Sequence, residues 1–203
     1  MLKGEILLGG YILNAYELAK KESDHAMLKL KESRSNTYEH SIHVRDTTQI
    51  FLQYLSEEED EEKLSERFQK EVLLSALTHD IGKLYVPKQL ILLDRSLTEE
   101  ERDVMKKHTL WAQKALPKHA LPMQRDVAAH HHDDFRSVSL ATQIVAVCDT
   151  YCALTEERSY KKPMTRAEAL QTMMFDPRNK NLNPYLVDRF SLMEMKRILC
   201  PSA

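Results

Sequence analysis

The chain has 203 residues, a formal net charge of -2, 42% hydrophobic residues and 30% charged ones. That length suits one domain with a real core, and the near-balanced charge gives no general attraction to a nucleic acid polymer or an anionic membrane. No uncharged apolar run approaches the ~20 residues of a membrane span, no leader-like segment stands at the N-terminus, and Cys148, Cys152 and Cys200 form no spaced framework, so a cytoplasmic protein with reduced thiols is expected.

Glycine occurs only at Gly4, Gly9, Gly10 and Gly82. This excludes a glycine-rich phosphate loop and, with few strand-like alternations, predicts an all-α protein. Residues 6–30 place Leu8, Tyr11, Ile12, Ala15, Leu18 and Ala19 at helical spacing. They predict a helix packed on the core through its first half, or one offered to a dimer partner. A polar break over Ser33 to Thr37 precedes a second helix, Tyr38 to Leu55, which carries His40 and His43. The acidic run 57–62 repels itself and reads as a loop or frayed helix end.

A third helix, Glu66 to His79, ends in Thr78-His79-Asp80-Ile81-Gly82-Lys83. Alone, this could be a polar helix end with a glycine cap. Pro87 suits the start of a short helix through Leu92. Thr98 and Glu101 form a capping box for a helix reaching about Leu116. His119 lies in a loop between Pro117 and Pro122. A further helix ends at His130-His131-His132, and an apolar helix over 139–154 carries Asp149. Arg158, Tyr160 and Lys161 follow in a polar turn. Thr165 and Glu168 make a second capping box, and Asn183-Pro184 open the last helix, to about Ile198. With no repeat and no linker, residues 1–35 are expected to pack as a helical segment on a single globular unit, 36–203.

His40, His79, Asp80, His108, His131, His132 and Asp149 come from five separate segments. Mixed imidazole and carboxylate groups suit first-row transition metals. Seven such residues on helix ends and apolar faces exceed what a core can satisfy without a metal or water, and a lone carboxylate at position 149 within an apolar helix needs a cation nearby.

These pieces, in this order, resemble the HD-domain phosphohydrolases and, more narrowly, the HD-GYP family. The matching runs are His40, His79-Asp80-Ile81-Gly82-Lys83, Val86-Pro87, Leu97-Thr98-Glu99-Glu100, Met105-Lys106-Lys107-His108 and His131-His132. They continue through Val145-Ala146-Val147-Cys148-Asp149, Ala153-Leu154-Thr155, Arg158-Ser159-Tyr160-Lys161 and Asn183-Pro184. The resemblance implies an HD-domain-like helical bundle with the HD-GYP C-terminal extension. It also implies hydrolysis of a cyclic dinucleotide, cyclic di-GMP first, by attack of a metal-bridging hydroxide. His40, His79, Asp80, His108, His131, His132 and Asp149 would be the metal ligands, with His130 the alternative to His132. Asp80 would bridge two divalent ions, iron or manganese ahead of zinc, nickel or magnesium. Lys83, Arg158 and Lys161 would hold substrate phosphate.

Three departures stand against the family pattern. With Gly82 the only glycine after residue 10, no Gly-Tyr-Pro motif follows the paired histidines. Asn36 stands where some members carry a third-metal Glu, which favours two ions. About 35 residues, rather than a receiver or sensory domain, precede the matching part. The alternatives are an HD-domain phosphohydrolase acting on another nucleotide or phosphoester, and a catalytically silent nucleotide-binding or signalling scaffold. Beyond the small-molecule nucleotide, a homodimer or a signalling partner is the partner expectation.

Overall fold

The structure, a computed structural model, describes residues 5–8, 11–58, 64–157 and 162–199. Its body is all-α, preceded by one antiparallel hairpin of β1 (Glu5–Leu8) and β2 (Tyr11–Asn14), paired Glu5 to Asn14 and Leu8 to Tyr11. The hairpin corrects the helix expected from residue 6. Over so few residues the apolar pattern fits either period, and Gly9-Gly10 between the two runs is a two-residue hairpin signal in the sequence. Helix formation waits for a cap: Asn14 Oδ1 accepts from the Glu17 N–H at 2.9 Å. From there α1 (Ala15–Ser33) buries Leu18, Ala19, Ser23, Met27 and Leu30. It is therefore anchored along its whole length, not through its first half alone.

Only Arg34 separates α1 from α2 (Ser35–Glu58), a tighter joint than the break expected over 33–37. The acidic run begins as the end of α2, and residues 59–63 lie outside the described residues. Ser65 Oγ accepts from the Phe68 N–H and starts α3 (Glu66–Thr78). This helix stands between two cores. Val72 and Ala76 join Val44, Phe51, Leu52, Ile144, Val147 and Phe190 in the larger one. Leu77 and Ile81 join Met27, Leu30, Ala112 and Leu116 in the smaller. Burial on both sides leaves residues 74–82 at most 8% exposed. A polar side chain in that stretch therefore needs an internal partner.

After α3 the chain tightens into a 3-10 helix, Ile81–Tyr85, then the short α4 (Lys88–Ile91). Gly82 is not a helix cap. Its Cα lies against the backbone of the helix that begins at His108, and a Cβ there would meet the His108 carbonyl oxygen at 1.9 Å. The helix expected from Thr98 to Leu116 is two helices, α5 (Glu99–Lys106) and α6 (His108–Ala115), although the Thr98–Glu101 capping box forms. The His108 ring takes the Met105 carbonyl at 2.7 Å, an acceptor that an unbroken helix would use for its own ladder.

α7 (Pro122–His130) is tied to its neighbours by Gln124, which is fully buried. Its Oε1 accepts from the Leu121 N–H, and its Nε2 donates to Ser23 Oγ and to Thr78 Oγ1. One side chain thus joins α1, α7 and the end of α3. A 3-10 turn, Phe135–Ser137, leads to α8 (Leu140–Thr155). Asp126 on α7 accepts from Ser139 and Thr142, which fixes the start of α8 against α7. Cys148 and Cys152 are buried free thiols, as their apolar surroundings implied.

α9 (Arg166–Phe175) carries the second capping box, and α10 (Pro184–Leu199) is capped by Asn183. Both cover α8 through Leu170, Met173, Leu186 and Phe190. Among the described residues no helix is long and apolar enough to cross a membrane.

Candidate metal centre

Three of the histidines occupy equivalent positions in their own segments. His79 follows α3, His131 follows α7 and His108 follows α5. Each turns Nδ1 back to a carbonyl of the preceding turn: His79 to Ala76 at 2.8 Å, His108 to Met105 at 2.7 Å and His131 to Val127 at 3.0 Å. Carbonyls at a helix end have acceptor capacity to spare, so a ring N–H can join them, at Val127 beside the backbone N–H of His131 itself. In the rings of His108 and His131 the proton is thereby placed on Nδ1, and Nε2 is left with a lone pair. The negative ends of three helices also converge on this point, which favours a cation.

His40 comes from α2 and Asp149 from α8. His40 Nε2 lies 2.8 Å from Asp149 Oδ1, so residues 109 positions apart meet. Asp80 lies between the two sets of side chains. Its Oδ2 faces His79 Nε2 at 3.4 Å and His40 Nε2 at 3.9 Å, and accepts from Lys83 Nζ. Its Oδ1 faces His108 Nε2 at 3.2 Å and His131 Nε2 at 4.0 Å.

The atoms that converge are not satisfied by one another. His79 Nε2 and Asp80 Oδ1 are buried and make no hydrogen bond. The Nε2 atoms of His108 and His131 face each other at 3.3 Å, although both carry lone pairs once Nδ1 holds the proton. A folded protein rarely leaves such groups unpaired. A divalent cation would satisfy all of them, and the nitrogen and oxygen donors are the types that first-row metals take. Three overlapping sets have ligand atoms within 4.8 Å of one another: His40, His79 and Asp149; His79, Asp80 and His131; His108, His131 and His132.

Electrostatics divides the cluster in the same way. Burial pulls His79 down, but the Asp80 and Asp149 carboxylates outweigh it and raise it to about 10. Burial also acts against the charge on Asp80, yet Lys83 and His79 hold its carboxyl well below the usual range. His40 and His79 do the same for Asp149 against its burial. On the other side burial lowers His108 to about 4, and burial with the neighbouring His132 and His79 takes His131 well below its ordinary value. One half therefore attracts positive charge, and the other offers neutral imidazoles.

His132 is exposed, with its ring 5.3 Å from His108 and 4.0 Å from His131. His130 points away and pairs with Asp133 at 2.7 Å, so the geometry brings His132, not His130, to the cluster. His119 pairs with Glu22, His25 is exposed, and Asn36 lies one turn before His40. Arg158 and Lys161 lie outside the described residues.

Beside the cluster opens a cavity of about 420 Å³, with Lys83, His40 and Glu156 among its polar walls and Leu90, Leu97 and Met105 among its apolar ones. Glu156 was missed in the sequence. The available signal was its position two turns after Asp149, on the same face of α8.

The sequence pattern of the HD domain matches residues 22–184. A cyclic di-GMP phosphodiesterase of Pseudomonas aeruginosa is 29% identical over 170 residues, covering 75% of this chain and 39% of that protein. A cyclic di-GMP phosphodiesterase of Thermotoga maritima is 30% identical over 149 residues, 66% of this chain and 40% of its own. A 3'3'-cGAMP-specific phosphodiesterase of Vibrio cholerae is 26% identical over 149 residues, 68% of this chain and 33% of its own. The chain thus spans a third to two fifths of the length of these relatives.

Proposed function

The chain belongs to the HD domain family, and from that membership and the geometry around Asp80 we propose that it is a metal-dependent phosphodiesterase that opens a cyclic dinucleotide, cyclic di-GMP before others. The observation that carries this reading is the division of one buried carboxylate. Asp80 Oδ2 faces His40 and His79, and Oδ1 faces His108 and His131. We assign the ligand set to His40, His79, Asp80, His108, His131, His132 and Asp149, which would hold two divalent transition-metal ions, with Asp80 contributing to both. Iron and manganese head the candidates because five imidazoles join two carboxylates.

When bound, such ions supply Lewis acidity toward a phosphate and a water acidic enough to ionise near neutral pH. The remaining work falls to the chain. Asp80 and Asp149 place two negative charges between the histidines, and the backbone carbonyls behind His79, His108 and His131 hold each ring in a donor-ready tautomer. Lys83 stands at the cavity wall with its side chain 22% exposed, where it can donate to a phosphate oxygen and offset charge as the phosphorus is attacked. Arg158 and Lys161 are assigned to the same phosphate group on the resemblance alone. The cavity lies within the ~300–1,000 Å³ of small-molecule sites, and its apolar wall suits a nucleobase.

A second reading, an HD phosphohydrolase acting on another nucleotide or phosphoester, is favoured by one observation. No glycine follows Gly82, so the loop between His132 and α8 has no Gly-Tyr-Pro. Hydrolysis by manganese- or iron-loaded protein tests both. Turnover of cyclic di-GMP or 3'3'-cGAMP well above that of the linear dinucleotide and a generic phosphodiester supports the first reading. The reverse order supports the second, and no turnover of any of them removes both.

A further inference from the structure

His40 differs from the other inward histidines in what holds its outer nitrogen. His79, His108 and His131 each give Nδ1 to a backbone carbonyl. His40 gives Nδ1 to a carboxylate, Glu156 Oε2, at 2.8 Å. The reason lies in its place on α2. His40 sits one turn inside that helix, where the carbonyls of the preceding turn are engaged by the ladder, so its ring finds no free backbone acceptor.

The partner arrives from α8. Glu156 closes that helix with an extended backbone, its N–H donating to the Cys152 carbonyl. Asp149 lies two turns earlier on the same face. One helix end therefore grips both nitrogens of the His40 ring, Asp149 Oδ1 on Nε2 and Glu156 Oε2 on Nδ1, each at 2.8 Å. Glu156 is itself fixed on its far side, where Oε1 accepts from His43 Nδ1 at 2.9 Å. Its side chain is only 18% exposed. A carboxylate so enclosed is costly unless it has a defined partner.

We infer that Glu156 is a positioning residue of the metal centre: it holds His40 with its proton on Nδ1 and its ring turned so that Nε2 is presented as a ligand beside Asp149. A carboxylate behind a ligating imidazole fixes the tautomer and raises the basicity of the donor nitrogen, and losing such a partner commonly lowers metal affinity by about 10- to 100-fold. His43 then serves as an outer brace that keeps Glu156 from rotating away. The inference rests on the reading of His40 as a metal ligand.

The test is a double-mutant cycle on manganese affinity, measured by calorimetry on metal-stripped protein. Glu156→Ala is expected to weaken binding by about 10- to 100-fold. Glu156→Gln, whose amide oxygen can still accept from Nδ1–H, is expected to recover most of that loss. The decisive arm is the His40→Ala background, in which adding Glu156→Ala should cost no further affinity, because Glu156 acts through that ring. Circular dichroism of each stripped variant identifies any that fails to fold; if Glu156→Ala is one, Glu156→Met, similar in size but without an acceptor oxygen for Nδ1–H, takes its place in both backgrounds. Wild-type affinity in a folded Glu156→Ala, or equal losses for Glu156→Ala with and without His40, overturns the inference. Failure of the wild-type protein to bind manganese, or wild-type affinity in His40→Ala alone, instead overturns the ligand reading beneath it.

Discussion

Replacing Gly82 by Ala tests how the fold delivers the site. A Cβ at residue 82 would lie 1.9 Å from the His108 carbonyl oxygen and 2.8 Å from the Ala112 nitrogen, both backbone atoms of α6 that cannot rotate aside. Ordinary contact begins at 3.4 Å, so the 3-10 helix and α6 must separate by about 1.5 Å. Gly→Ala in a relaxed helix would stabilise by ~0.5–1 kcal/mol. Overpacking at a close backbone contact costs about 1–3 kcal/mol, and this contact is tighter than most. The clash therefore wins. At the upper end of that cost about 2–2.5 kcal/mol remains after the gain, and at ~2–4 °C per kcal/mol for a chain of this size the melting temperature should fall by roughly 4–10 °C. The shift also acts on the site. His108 lies at the displaced end of α6, with Nε2 3.2 Å from Asp80 Oδ1. Moving His108 away from Asp80 should also weaken metal binding. Thermal denaturation monitored by circular dichroism, with metal titration alongside, reads both effects. A folded Gly82→Ala with wild-type melting temperature and metal affinity would refute the close-approach argument.

Lys83→Ala should keep its helical circular dichroism while lowering turnover by about 100- to 1,000-fold, whereas Arg158→Ala and Lys161→Ala should mainly raise KM; wild-type kinetics in all three would remove the phosphate role and leave Lys83 only its ion pair with Asp80. Saturating manganese, at 100 times its Kd, should add ~2.7 kcal/mol of stability per site, ~5.4 kcal/mol for two, and raise the melting temperature of chelator-treated protein by roughly 11–22 °C, read by calorimetry. Glu22→Gln should destabilise the protein near neutral pH and not in acid. Partial burial acts to raise the Glu22 carboxyl, but hydrogen bonds from His119 lower it below the usual glutamate range, so its contribution is present above that range and is lost as pH falls through the folded value. Melting curves across acid pH check this: a constant difference between the two proteins at every pH would contradict it.

Much of this arrangement was legible because it is written in local chemistry. Caps at Thr98, Thr165 and Asn183 announce helix starts by residue type, and all three form. The inward residues His40, His79, Asp80, His108, His131 and Asp149 were legible because so many imidazoles and carboxylates together exceed what a core can satisfy, and because their order resembles a known family. Three features depended on tertiary contacts that no window of sequence contains. The break between α5 and α6 arises where the His108 ring captures the Met105 carbonyl. Gly82 reads as a cap until the backbone of α6 is seen against it. Glu156 reads as one more surface glutamate until α2 brings His40 and His43 onto its two oxygens. The N-terminal hairpin was a different kind of miss, since Gly9-Gly10 carried the signal and the helical period of the neighbouring residues outweighed it.

On the proposed reading, Asp80 would stand between two bound ions. Elemental analysis of protein purified without chelator, beside Asp80→Ala prepared in the same way, tests it most directly. About two transition-metal ions per chain in the wild type are expected, with most of them lost in a variant that keeps its helical circular dichroism. Unchanged metal content in Asp80→Ala, or a wild-type protein that holds no transition metal, would contradict the claim.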